Sequence, residues 1–245
     1  MMFILKLNFH VIDFLSIMTK KEYLKKIKDN FPKLKFKKIE FITTGYDDDV
    51  VILDKRIVFS FPKHKLDCFE KFQKELMILP LLNKKISLSI PNFIYISKDK
   101  SFGGYKYITG IPLSKKILNK LSASEKESLA KQLAQFVNEL HSFPIKVAEK
   151  NNVSVRNNSK TNISKLVLTH QDLIDEHILI NIKTKKVVGI IDFGDLQIAD
   201  PTYEFSRIWR FGEEFLDLLL KYYKTSDKKI KIRSKKIWLK SKNNI

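Results

Sequence analysis

The stretch from Thr169 to Ile180 reads THQDLIDEHILI, and Asp192 follows in GIIDFGD. Acids and histidines here adjoin aliphatic runs that favour burial, and a buried charge is costly unless something compensates it. One carboxylate free to accept a proton, beside two further groups able to hold a divalent cation, is the equipment of phosphoryl transfer. Asp172, His177 and Asp192 are the three candidates for that set, in which the cation would be a Mg²⁺ ion held against nucleotide phosphates.

The elements that must bring these groups together are short strands. LVLTHQD, HILIN and VVGIID are apolar runs with no room for a helix between them. HILIN and VVGIID are separated by IKTKK, so a hairpin is the economical connection, with Asn181 opposite Val187, Leu179 opposite Gly189 and His177 opposite Ile191. That register predicts His177 and Asp192 at the same open end, with Asp172 in the loop entering it.

Upstream, TKKEYLKKIKDN predicts a helix with Thr19 as N-cap and Tyr23, Leu24 and Ile27 on its apolar side. Beyond Pro32 the period changes. Phe36 to Thr43 alternates, and VVILD and KRIVFSF read as strands joined at Asp54 and Lys55. Asp67 to Asn83 returns to helix, with Phe69, Phe72, Leu76 and Leu79 expected on one face. Pro91 to Ser97 and Tyr105 to Ile108 supply two more strands. The segment GYKYITGIPL then leaves the sheet through Gly110 and Pro112, an expected hinge. Ser124 to His141 predicts a strong helix, with Ser124 and Glu127 as its capping box and Leu129, Leu133, Phe136, Val137 and Leu140 as its stripe. Residues 150–164 are polar and read as a loop. Tyr203, Phe205, Trp209 and Phe211 read as core, and Asp200 followed by Pro201 reads as a helix start with Glu204 favoured by the dipole.

The whole chain has 245 residues, enough for two lobes whose core needs no disulfide. Its 44% hydrophobic content separates it from disordered chains. The net charge of +19 raises nucleic acid or an anionic membrane as partner, yet only five of the 46 basic residues are arginine. Readers of bases and phosphates rely on the arginine fork, so the lysine excess is read as a solvated surface, and neither nucleic acid nor membrane is an expected partner. Cys68 is the single cysteine, consistent with a reducing, cytoplasmic setting. At the N-terminus, Lys6, His10 and Asp13 interrupt each apolar run before it reaches the length of a signal or a membrane span. Residues 1–17 are expected to be an upstream extension without function, residues 18–108 a nucleotide-binding N-lobe, and residues 109–245 a shortened catalytic and substrate-binding C-lobe.

Taken in order, GYDDDVVIL, FSFPKH, KELMILPLL, YITGIPL, LHSFP, THQDLIDEHILI and GIIDFGDLQIADPTYEF resemble the aminoglycoside phosphotransferase family of the protein-kinase-like superfamily. The resemblance spans roughly residues 40–217. It implies a mixed α/β (α+β) fold in two lobes, an N-terminal antiparallel sheet with one helix and a mainly helical C-terminal lobe carrying the catalytic hairpin. It further implies Asp172 as base or orienting carboxylate, Asp192 as principal Mg²⁺ ligand, and ATP or GTP as donor. Lys106 and Ile108 would offer backbone groups to the purine, Glu75 would match the helix glutamate that pairs with a strand lysine, and Thr44 and Gly45 would match the loop covering the nucleotide.

Three departures stand out. His177 occupies the position usually held by an asparagine ligand, and imidazole suits Mg²⁺ poorly. Ser60 stands where the strand lysine is expected, and Lys63 could replace it only through a bend at Pro62. The stretch from His141 to His170 is short for the family, and after Asp217 only about one more helix and a lysine-rich tail are expected. These departures motivate an alternative, an inactive remnant that still binds nucleotide. His170 is expected to hold its loop by hydrogen bonding rather than touch substrate, and Asp195 either assists with metal or closes the loop. Residues 171–217 contain ten acids and five bases in a chain otherwise strongly positive. Such a patch suits a cationic small-molecule acceptor, with an aminoglycoside antibiotic foremost and resistance as its consequence. Glu204, Glu213 and Glu214 are the candidates in it for contacting that acceptor.

Overall fold

The structure, a computed structural model, describes residues 18–156 and 166–242. The extension expected over residues 1–17 and the larger part of the loop expected over 150–164 lie outside the described residues.

Helix α1 (Lys20–Asn30) begins on a reciprocal capping box between Thr19 and Glu22 and buries Tyr23 and Ile27. Five antiparallel strands follow: β1 (Ile39–Ile42), β2 (Asp48–Leu53), β3 (Ile57–Pro62), β4 (Phe93–Ile96) and β5 (Gly103–Lys106), in the order β1-β2-β3-β5-β4. The β2–β3 connection turns where expected, with Asp54 and Lys55 at φ 54° and 51° and the Arg56 N–H donating to the Leu53 carbonyl at 2.9 Å. Two successive positive φ angles make the turn whose twist matches the flanking strands. One side of the sheet closes over an aromatic cluster in which Phe61 and Phe102 stack at 4.4 Å.

Helix α2 (Leu66–Leu82) sits between β3 and β4. Its buried face is Cys68, Phe72, Glu75, Ile78, Leu79 and Leu82. This corrects the expected stripe, because Phe69 is 39% exposed. Between these apolar side chains the helix turns the Glu75 carboxylate toward the middle of the molecule.

The C-terminal part holds β6 (Ile111–Pro112), α3 (Lys115–Leu118), α4 (Ala123–His141), α5 (Ile145–Lys150), β7 (Val167–Thr169), β8 (Ile178–Asn181), β9 (Lys186–Ile190), β10 (Gln197–Ala199), α6 (Thr202–Ile208), α7 (Glu213–Tyr222) and α8 (Ile230–Lys242), with a 3₁₀ turn at Trp209–Phe211. The capping box of α4 is Ser122 with Glu125, not Ser124 with Glu127. Both pairs have the same spacing, and the helix starts one residue earlier than expected. Leu129, Leu133, Phe136, Val137 and Leu140 are fully buried, each contributing on the order of 2 kcal/mol by leaving water.

The segment expected to be a hinge is tied down. Ile111 and Pro112 pair with Ile180 and Leu179 of the β8–β9 hairpin. A Cβ on Gly110 would lie 2.7 Å from a Val188 methyl, so a larger residue there would lift the segment off the hairpin. The hairpin register is as expected at Leu179 with Gly189, but a bulge before Ile180 sets Asn181 opposite Lys186 rather than Val187. The bulge lies on the turn side, so the open end is unaffected and the Ile191 N–H still donates to the His177 carbonyl at 3.0 Å. The lysine-rich tail is itself helical. It forms α8, packed on α6 through Trp209 and Trp238, with ring centroids 5.9 Å apart. Among the described residues, no helix is long and apolar enough to cross a membrane.

Candidate active site

Asp172, His177 and Asp192 meet at the open end of the β8–β9 hairpin. The His177 Nδ1 donates to the Asp172 carbonyl at 2.8 Å and lies 3.4 Å from its carboxylate, and Nε2 lies 3.2 Å from the Asp192 carboxylate. The carbonyl bond fixes the tautomer, so Nε2 of a neutral ring and the Asp192 oxygen face each other as two acceptors. A proton on Nε2 or a cation between the pair resolves that contact. The donor set therefore fits a divalent cation, with a carboxylate of the hard-ion type and one nitrogen more at home on Mn²⁺ than on Mg²⁺.

Local backbone conformation aims these groups. Asp192 has φ 65° and Gln171 φ 70°, values that cost energy in residues with a Cβ. At Asp192 the turn sends the side chain outward, 46% exposed, while the next N–H, that of Phe193, points inward to Glu75 Oε1 at 2.8 Å. The strain at Gln171 is offset by three bonds, from its side chain to Thr169, from Arg156 Nη1 to its side chain at 3.0 Å, and from Arg207 Nε to its carbonyl at 2.7 Å. Arg207 thereby stands 3.8 Å from the Asp172 carboxylate.

Behind the loop, His170 and Glu204 are fully buried. Glu204 Oε2 accepts the His170 N–H at 2.7 Å, and His170 Nε2 donates to the Ile191 carbonyl at 3.2 Å. Burial pushes the His170 pKa below its ordinary value, outweighing the Glu204 charge, so the ring is a neutral spacer between the Asp172 loop and the hairpin. The candidate role of Glu204 as an acceptor contact is corrected on this ground: a fully buried carboxylate bonded to backbone cannot reach a substrate. Asp200 accepts the Thr202 N–H at 2.9 Å just ahead of α6, whose N-cap position is Pro201 rather than the expected Asp200, and is also clamped by Arg233 at 2.6 Å.

Asp172, His177 and Asp192 open into a cleft of about 530 Å³ between sheet and hairpin, lined also by Gly45, Asp48, Ser60, Lys71, Glu75, Tyr105, Glu176 and Asp195. Gly45 borders it closely enough that a Cβ there would lie 2.8 Å from the Asp48 carbonyl, and the neighbouring Thr44 is exposed. Lys106 and Ile108 line an adjoining cavity with Ser89 and Val188, while the ring of their neighbour Tyr105 lines the cleft itself. Glu213 and Glu214 border a different groove, beside Lys115 and Phe211. Glu213 is held by Lys231 at 2.9 Å.

The upper wall is acidic. Ser60 donates its hydroxyl to Asp48, and no lysine takes the strand position. Lys63 does not bend inward; it donates to the Gly45 and Thr43 carbonyls and props the loop from behind. Burial pushes the Asp48 carboxyl up to about 6, with Asp192 and Asp47 adding to the shift and the Ser60 bond opposing it. Glu75 is raised well above the usual carboxylate range, by burial first and then by Asp48 and Asp192. Sequence reasoning passed over Asp48 and Lys71. The strand period that turns Val50 and Ser60 inward also turns Asp48 inward, and Lys71 precedes Glu75 by one helical turn on the same face.

Residues 160–233 match the family model described as the phosphotransferase enzyme family. The GDP and kanamycin complex of an APH(2'') enzyme is similar at 28% identity and TM-score 0.80, over 88% of this chain and 86% of that one. The GDP complex of wild-type aminoglycoside 2'-phosphotransferase-IIIa is similar at 25% identity and TM-score 0.83, over 91% and 88% of the two chains. Macrolide 2'-phosphotransferase type I shares the fold at 18% identity and TM-score 0.72, over 91% and 90%.

Proposed function

From the premise that this chain has the protein-kinase-like fold of the aminoglycoside phosphotransferases, we propose that it moves the γ-phosphate of GTP or ATP to a hydroxyl of a small molecule. The observation that carries the reading is His177 standing between Asp172 and Asp192, 3.4 Å and 3.2 Å from their carboxylates, in a cleft below the sheet. Asp172 accepts the acceptor's hydroxyl proton as that oxygen attacks the γ-phosphorus and the bond to the β-phosphate oxygen breaks, releasing the nucleoside diphosphate. Asp192 and His177 would hold Mg²⁺, which supplies charge neutralisation on the phosphates. Arg207, through the Gln171 carbonyl, and Glu204, through the His170 N–H, keep the Asp172 loop in register. An aminoglycoside is the proposed acceptor, by likeness to the kanamycin-bound relative. The acidity expected to attract it is smaller than the sequence count, since Asp175, Asp195, Asp200, Glu213 and Asp217 are paired with cations.

The test is phosphate transfer from labelled GTP and ATP across a panel of aminoglycosides, macrolides and neutral alcohols. Activity should appear with the parent and drop by about three orders of magnitude in Asp172→Asn, with nucleotide binding retained. An Asp172→Asn protein as fast as the parent removes the assignment.

The second reading, an inactive remnant that binds nucleotide, is favoured by Glu75, buried with no cation on β3 to face it. A rise in melting temperature with Mg·GTP or Mg·ATP and no transfer to any acceptor supports the remnant; turnover excludes it.

A further inference from the structure

Among the described residues, the cleft that would receive the nucleotide is lined by seven carboxyl groups, those of Asp47, Asp48, Glu75, Asp172, Glu176, Asp192 and Asp195, by the His177 imidazole and by one lysine, Lys71. A triphosphate entering such a space meets repulsion from every wall unless fixed positive charge intervenes. A cation held by Asp192 and His177 answers part of that repulsion on the hairpin side. On the sheet side the chain itself must supply the remainder.

The other nearby basic groups are committed elsewhere. Lys63 props the loop at Gly45 from the far side, the Lys74 ammonium donates to the Leu196 carbonyl at 3.1 Å, and Arg207 belongs to the Asp172 loop. Lys71 projects from α2 one turn before Glu75, and its ammonium bridges Asp47 at 2.7 Å and Asp195 at 2.8 Å. Both partners lie on the cleft wall, and none of the three side chains is fully buried, so the bridge can open without exposing core. Partial burial works against the charge, but the bonds to Asp195 and Asp47 outweigh it and hold the Lys71 pKa above that of ordinary lysine. The cation is present at every physiological pH.

We propose that Lys71 is the phosphate-binding side chain of this protein, exchanging the carboxylates of Asp47 and Asp195 for oxygens of the bound nucleoside triphosphate. The two aspartates keep the ammonium in place until the ligand arrives. The inference rests on the phosphotransferase reading for the identity of the ligand but assigns a residue that reading leaves open. It explains how a cleft with Ser60 on its central strand can still take a polyanion. Three oxygen acceptors clustered on a triphosphate compete well for an ammonium with two carboxylate partners in partial contact with water.

The test is titration of Mg·GTP and Mg·ATP into the full chain. Lys71→Met should raise Kd at least tenfold, and Lys71→Arg should keep most of the affinity. Asp47→Asn, which loosens the bridge and removes one repelling charge, should bind more tightly than the parent. Adding Ser60→Lys to Lys71→Met should recover affinity, because it sets an ammonium on β3 above the same cleft. Unchanged affinity in Lys71→Met overturns the proposal. So does a loss in Asp47→Asn equal to that in Lys71→Met, since Lys71 would then be a strut for the loop. A parent chain that binds neither nucleotide sinks the phosphotransferase reading together with this one; a binding parent with an indifferent Lys71→Met sinks this one alone.

Discussion

Glu204 Oε2 accepts the backbone N–H of His170 at 2.7 Å from a position with no solvent exposure. A carboxylate so placed fixes the strand-to-loop exit two residues before Asp172, and it does so from α6, far along the sequence. Glu204→Gln keeps the shape and an oxygen but removes the charge, weakening a bond worth about 2 kcal/mol. The expected result is a kcat reduced roughly tenfold with the nucleotide KM unchanged, the signature of a group that acts on the geometry of the reacting loop rather than on binding. Steady-state kinetics decide it, and an unchanged kcat would make Glu204 a packing residue.

Asp48 supplies a pH-dependent prediction. Its carboxyl is pushed from 3.8 up to about 6 in the fold, so the folded state binds the proton more tightly than the unfolded chain. Well below pH 3.8 the group is protonated in both states and contributes nothing to the difference; between about 4 and 6 the unfolded chain loses the proton while the fold keeps it, so the cost to the fold grows with pH, and above 6 both states are ionised and the cost stays constant. Asp48→Asn should therefore raise the melting temperature of metal-free protein at pH 7.5 by roughly a few degrees. The gain should be constant above pH 6, shrink between pH 6 and 4 and vanish below the unfolded value of 3.8. A gain independent of pH would mean that shape, not charge, is responsible.

Much of the fold was legible because local rules and tertiary packing agree. Thr19 with Glu22, the positive-φ turn at Asp54 and Lys55, and the five-position stripe of α4 are each set by residues close in sequence. The open end of the hairpin was legible for the same reason, since a two-residue period brings His177 and Asp192 to one edge whatever the turn does. Failures occurred where a distant partner decides. On α2 the exposed Phe69 was placed in the buried stripe, and Glu75, expected to face a strand lysine, instead accepts the N–H of Phe193, 118 positions away. Glu204 was assigned to the surface because its partner lies 34 positions away. The acidic stretch looked open because the lysines of α8 that neutralise Glu213 and Asp217 come from the tail.

His177 predicts the metal preference. In the proposed role of metal ligand, the His177 nitrogen 3.2 Å from Asp192 would favour Mn²⁺ over Mg²⁺ more than an oxygen ligand would. His177→Asn should lower the Mg²⁺ concentration giving half-maximal nucleotide binding and narrow the advantage of Mn²⁺, while His177→Ala should weaken binding with both ions. Titrations of nucleotide affinity against each metal read this directly. A His177→Asn protein that needs more Mg²⁺ than the parent would show that the imidazole serves the loop and not the ion.

Arg233 of α8 bonds Asp200, which is 1% exposed, at 2.6 Å and also pairs with Asp227. Asp200 opens α6, the helix that carries both Glu204 and Arg207, so the tail helix reaches the catalytic loop through one buried ion pair. Removing the cation alone leaves a buried carboxylate with only the Thr202 donors, a loss of about 3 kcal/mol. Arg233→Ala should accordingly lower the melting temperature by roughly 6–12 °C for a chain of this size. Asp200→Asn in the same chain should restore part of that, because the uncompensated charge, not the missing contact, carries most of the cost. If the double variant melts no higher than Arg233→Ala, the guanidinium contributes through packing against α6. In that case the link from α8 to the loop is steric rather than electrostatic.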